Sequence, residues 1–162
     1  MAVFFHNKNI RERLTFDQLT EQIMLYIKER KQAYYQITVG TDSPGITNPF
    51  FVTAVTILRI GNGGRYFWTK TERINCPTLR ERIYKEAIQS ITLVQEIKSR
   101  LKDKLGEEFF WDNKINVHID IGRNGPTREF INGIVGMVKG YGFEAIIKPD
   151  AFCACTVADR HT

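Results

Sequence analysis

Four acids in this chain stand where a carboxylate needs a reason. Asp42 ends the β-branched run Ile37-Thr38-Val39-Gly40-Thr41, immediately before the turn formers Ser43-Pro44-Gly45. Asp120 follows a second run, Ile115-Asn116-Val117-His118-Ile119, which alternates apolar and polar residues as a half-buried strand does. Glu86 belongs to a long helical pattern. It falls within roughly 20° of Leu79 and Ile97 on a 100°-per-residue wheel, among the buried positions. A carboxylate there is costly unless paired or bound to a cation, and an ion pair with Arg82 or Lys85 is the plain alternative. Asp159 is the last acid, followed by Arg160 and His161. Brought together, four such acids form an all-oxygen donor set suited to hard cations such as Mg²⁺ or Mn²⁺. Two ions roughly 4 Å apart would activate a water and stabilise the leaving oxygen of a phosphodiester.

The elements that must position these acids follow from periodicity. Thr15 and Gln18 have capping-box spacing, and Phe16, Leu19, Ile23 and Ile27 form a helical stripe running to about Lys31. The cations that close it suit a solvated helix end. The strand ending in Asp42 is followed by Phe50 to Ile60, apolar at nearly every position and so covered on both faces. Gly61-Asn62-Gly63-Gly64 is a hairpin signal. The returning strand, Arg65 to about Ile74, places Tyr66 and Trp68 on one face and Phe67 on the other. Cys76-Pro77-Thr78 stops that strand and caps a helix from Leu79 to about Leu105. A crossover through this helix allows the strand 115–122 to lie parallel beside the first. Asp42 and Asp120 then end on neighbouring strands, where ligand sites of open α/β sheets gather.

Beyond Asp120, Gly122-Arg123-Asn124-Gly125-Pro126 reads as a turn opening a helix near Pro126 that runs to about Gly140. Its backbone N–H groups and Arg123 could hold a phosphate, although the P-loop pattern is absent. Residues 143–147 read as the next strand. Lys148-Pro149-Asp150 then starts a short final helix with Asp150 as its N-cap, a mainly structural role that leaves Asp159 as the free acid. Asp150 competes with it for the fourth place only because it adjoins the same short helix. His118, on the face of Asp120, reads as a core histidine or as a group supporting that acid.

Composition sets wider bounds. A chain of 162 residues, 43% hydrophobic and 25% charged, suits one soluble domain with a sizeable core. The excess of 23 Lys+Arg over 18 Asp+Glu, +5 in all, is compatible with a polyanionic partner without requiring one. Three cysteines without a disulfide or zinc spacing point to a reducing compartment, and the expected location is cytoplasmic. No run reaches membrane-span length, and Met1 to Lys8 is too short for a secretory signal.

Several stretches resemble the YkuK-type family of predicted RNase H-like nucleases. They are Val39-Gly40-Thr41-Asp42-Ser43, the run from Leu79 to Ala87 around Glu86, His118-Ile119-Asp120-Ile121-Gly122 with Asn124 to Glu129, and Lys148-Pro149-Asp150 with Val157 to Thr162. The resemblance covers about residues 8 to 162. It implies an α/β fold of the ribonuclease H-like kind, with a mixed central sheet of about five strands flanked by helices. Residues 1–162 would be a single domain, of which about 1–35 would be an N-terminal helical extension. The implied activity is metal-dependent cleavage of nucleic acid (RNA, DNA or hybrid) with two Mg²⁺ or Mn²⁺ ions. Asp42 and Asp120 would be the central ligands, Glu86 would bind one ion from the helix, and Asp159 would complete the other site. The alternatives are a non-catalytic nucleic-acid-binding module and a protein-interaction domain whose acids are ion-paired.

Overall fold

A computed structural model describes residues 2–162, leaving out Met1. The chain opens with a hairpin, β1 (Phe5–Asn7) and β2 (Ile10–Leu14), followed by helix α1 (Phe16–Glu29). The capping box forms. Thr15 Oγ1 accepts from the Gln18 N–H at 3.2 Å, and Gln18 Oε1 accepts from the Thr15 N–H at 2.8 Å. Leu19, Ile23 and Ile27 are buried. The carbonyls left free at the end of α1 are met from the next strands: Tyr35 Oη donates to the Arg30 carbonyl at 2.9 Å and Arg59 Nη2 to that of Tyr26 at 2.7 Å.

Next come the antiparallel strands β3 (Tyr35–Asp42), β4 (Val52–Arg59) and β5 (Gly64–Lys70). The β4–β5 turn uses Gly61 and Gly63 at φ 78° and 82°, a region that favours glycine. Helix α2 (Leu79–Leu105) opens on a second capping box, Thr78 with Glu81. After the single turn α3 (Phe109–Asp112), β6 (Lys114–His118) lies parallel to β3. Helix α4 (Ile131–Gly140) leads to β7 (Glu144–Ile146), parallel to β6. A π-helical segment, Cys153–Ala158, and a 3₁₀ turn, Asp159–His161, follow.

The strand order is β2-β1-β5-β4-β3-β6-β7. The expected α/β architecture with a mixed sheet flanked by helices is present, with seven strands where about five were expected. The additional pair is the hairpin before α1, so the stretch read as a helical extension also adds two strands to the sheet. A three-residue strand followed by the largely charged Ile10-Arg11-Glu12-Arg13-Leu14 carries little periodicity to read.

Three boundaries also move. Regular pairing in β6 stops at His118, and the chain bends at Asp120. Thr127 Oγ1 turns back to accept from the Gly122 N–H at 3.2 Å, so α4 starts at Ile131 rather than near Pro126. The last helical segment follows Phe152 with no side-chain cap. Asp150 is therefore not its N-cap; its N–H and carbonyl close tight turns with Ile147 and Phe152.

Each sheet face has its own cover. Helices α1, α2 and α4 bury the main core, which includes Ile37, Val39, Val55, Phe67, Ile97, Val117 and Ile134. The opposite face of β3 and β4 is covered by the C-terminal segment, through Cys153 and Ala158 against Val52 and Ala54. Contact there is close enough to require a glycine. A Cβ added to Gly40 would lie 2.6 Å from the Ala154 nitrogen.

Candidate carboxylate site

Strand polarity brings the acids to one end of the sheet. Asp42 is the last residue of β3, and Asp120 lies two residues beyond the parallel neighbour β6. Residues 38, 40 and 42 of β3 alternate onto the face covered by the C-terminal segment, and that segment delivers Asp159. Thr41 faces the other way, its hydroxyl 2.7 Å from that of Ser90 on α2. About one turn earlier on the same helix, Glu86 reaches over the end of β3 and accepts from Ser43 Oγ at 2.6 Å. Asp42 and Asp159 thus approach from one sheet face and Glu86 from the other.

Electrostatics records their proximity. Asp42 is 8% exposed. Burial, then the charge of Asp120, then a hydrogen-bonding approach by Asp159 push its carboxyl up to about 7, against the lowering effect of the Ser43 N–H. Glu86 is 4% exposed. Burial raises it to about 8, with the Ser43 hydroxyl and Arg82 opposing and Asp42 and Asp120 adding to the rise. These are buried acids in each other's field with too little positive charge among them. The alternative for Glu86, an ion pair with Arg82 or Lys85, is not formed among the described residues. Arg82 lowers the Glu86 pKa through space, and its Nε is out of solvent without a hydrogen-bond partner.

Asp120 is the acid with a cation in contact. Lys148 Nζ lies 2.8 Å from Asp120 Oδ1, and the Cys155 thiol donates to the same oxygen at 3.0 Å. Asp120 in turn raises the Lys148 pKa. Asp150 is exposed and its charge is felt at His118 rather than at the acids. His118 is a buried anchor: Nδ1 accepts from the Cys153 N–H at 3.1 Å, its ring meets Phe152 edge-on, and burial lowers its pKa to about 4. His161 stacks flat on Trp68, with ring centroids 3.8 Å apart. Neither histidine contacts an acid of the site through a hydrogen bond.

Ser43 and Lys148 are contributors that residue patterns do not pair with the acids. Lys148 meets Asp120 because each lies two residues beyond the end of its strand, β7 and β6, which pair in parallel with His118 opposite Ile146.

Among the described residues, no group of three or more His, Cys, Asp or Glu side chains is disposed to hold a metal ion. Contacts to Ser43 and Lys148 engage Glu86 and Asp120 separately. The donor chemistry nevertheless fits a hard divalent cation. All four groups are carboxylates, and the two buried ones are held toward their protonated forms by burial and by each other's field. Beside the acids, Gly122, Arg123, Asn124, Lys148, Pro149 and Asp150 line a cavity of about 710 Å³.

Comparison with known proteins agrees with this architecture. The chain is 30% identical over 174 aligned positions to "Uncharacterized protein YkuK" of Bacillus subtilis (strain 168), covering 100% of this chain and 99% of that protein. No solved structure matches. The sequence model described as Ribonuclease H-like matches residues 18–162, and the chain belongs to that ribonuclease H-like family.

Proposed function

We propose that the protein is a divalent-metal-dependent nuclease that hydrolyses phosphodiester bonds of nucleic acid. The observation that carries the reading is the burial of Asp42 within reach of Asp120 and Asp159, with Glu86 brought to the same strand end by Ser43. Asp42, Glu86, Asp120 and Asp159 would hold Mg²⁺ or Mn²⁺, two ions in all. The bound metal would activate water and stabilise the leaving oxygen. The chain's own groups do the rest. Ser43 Oγ fixes the Glu86 carboxylate, and the π-helical segment carries Asp159 to Asp42. Lys148 and Arg82 place positive charge at the rim, where a phosphate diester would otherwise meet only acids.

The test is cleavage of labelled RNA, DNA and hybrid substrates with Mg²⁺ or Mn²⁺. Wild-type protein cuts at least one substrate. Asp42→Asn loses at least about a hundredfold in rate while keeping its fold by circular dichroism. Equal cleavage by the variant would falsify the reading.

A second reading, a nucleic-acid-binding module without turnover, is favoured by one observation: Lys148 already neutralises Asp120. Gel-shift binding that weakens with salt, with no cleavage in any divalent metal, selects it over the nuclease.

A further inference from the structure

We propose that the β1–β5 side of the sheet is a stacking platform for unpaired nucleobases, which makes single-stranded nucleic acid the substrate class of the adjoining acids. This deepens the nuclease reading and rests on it. The platform is a cluster of four part-exposed rings, His6, Tyr66, Trp68 and His161. His161 lies on Trp68 at 3.8 Å and 4°. Tyr66 is 5.8 Å from Trp68 at 32° and 5.9 Å from His161 at 36°, and His6 is 5.5 Å from Trp68 at 30°. The other aromatic pairs among the described residues meet edge-to-face, at 73° to 89°. Edge-to-face packing is how rings fill a core. A group of rings sharing one orientation at the surface presents the flat geometry a base requires.

Position ties this cluster to the acids. His6, Trp68, Ala54, Gly40 and His118 form one row across β1, β5, β4, β3 and β6. Trp68 therefore stands two strands, about 10 Å, from the line of β3 that ends in Asp42. His161 is two residues beyond Asp159 in the same 3₁₀ turn, so the ring cluster and the acids are joined by one short element. Cations lie next to the cluster in the chain: Lys70 follows Trp68 by two residues on β5, with its Nζ over the neighbouring Phe50 ring, and Arg160 precedes His161. Aromatic faces among cations are how single strands are held without sequence preference. Because His161 already covers one face of Trp68, a base would continue that stack on the outer side of the cluster, and duplex bases, stacked on one another, cannot offer a face to it.

The protein's two tryptophans make the test direct. Trp111 is 75% exposed and away from the site, so Trp111→Phe leaves Trp68 as the sole reporter. Asp42→Asn is added so that bound strands stay intact in Mg²⁺. Titration with oligo-dT and with oligo-U should quench Trp68 emission, while a blunt duplex of equal length should not. The stronger of the two single-strand arms assigns DNA or RNA. Trp68→Ala, with Tyr66→Ala as a second variant should the first fail to fold, should weaken binding of a labelled single strand about tenfold and leave duplex binding unchanged. Bound single strand with unchanged Trp68 emission, or wild-type affinity in both alanine variants, overturns the platform. The nuclease reading then survives if cleavage still depends on Asp42. Absence of any nucleic-acid binding overturns both.

Discussion

Asp42 and Glu86 can be treated as a linked pair of proton sites. Each has a folded-state pKa above its ordinary value, about 7 against 3.8 and about 8 against 4.5. Between pH 4 and 8 the folded state therefore binds more protons than the unfolded chain, and stability falls as pH rises through that window. Their stabilising contribution is greatest in acid and lost in mild alkali, the reverse of an ion-paired carboxylate. Removing the charge should relieve this. Glu86→Gln, without divalent cations at pH 8, is expected to raise Tm by on the order of 5 °C and to have little effect at pH 4. Thermal melts at both pH values check it, and a lower Tm at pH 8 would show that Glu86 is stabilised as the anion. The helical wheel alone made Glu86 legible, because a carboxylate in a buried stripe must be explained. Its partner was not legible: Ser43 is next to Asp42 in sequence, but only the meeting of α2 with the end of β3 makes it a donor to Glu86.

Among the elements, the C-terminal segment has the most conditional placement. It is short, it lacks a side-chain N-cap, and it rests on β3 because Gly40 leaves room for Ala154 and because His118 accepts from the Cys153 N–H. Gly40→Ala puts a methyl 2.6 Å from the Ala154 nitrogen, a clash with backbone that no rotamer relieves. The expected cost is about 1–3 kcal/mol, read by urea denaturation. The same variant should weaken Mn²⁺ binding, since Asp159 moves with the segment away from Asp42. An unchanged denaturation midpoint would mean that the segment gives way freely.

This dependence explains how far the sequence could be read. Asp42 and Asp120 end alternating or β-branched runs, so their position follows from strand period. The last helix starts two residues later than the sequence predicts, because Asp150 resembles an N-cap whereas its backbone is committed to turns with Ile147 and Phe152. The contact of Lys148 with Asp120 depends on β7 lying beside β6, and no local pattern encodes that adjacency.

At the scale of the whole molecule, the site depends on a sheet that is continuous from the N-terminal hairpin to β7. The hairpin is anchored in the core. Phe5 is fully buried against the edge of Phe16, and Asn7 Nδ2 donates to the Tyr66 carbonyl at 2.8 Å. Phe5→Ala should cost about 3–5 kcal/mol, far more than truncating a side chain of a loose extension, and chemical denaturation decides between the two. A divalent cation tests the other end of the sheet. A ligand that binds only the folded state at a hundred times its Kd adds about 2.7 kcal/mol, which for a chain of this size is about 5–10 °C in Tm. Mn²⁺ must displace the protons that burial keeps on Asp42 and Glu86, so the gain should be large at pH 8 and small at pH 5. It should vanish in Asp42→Asn at either pH. Equal Mn²⁺ stabilisation of wild type and Asp42→Asn at pH 8 would place the cation elsewhere, and the four acids would then be a charge cluster that the fold tolerates rather than a site that it builds.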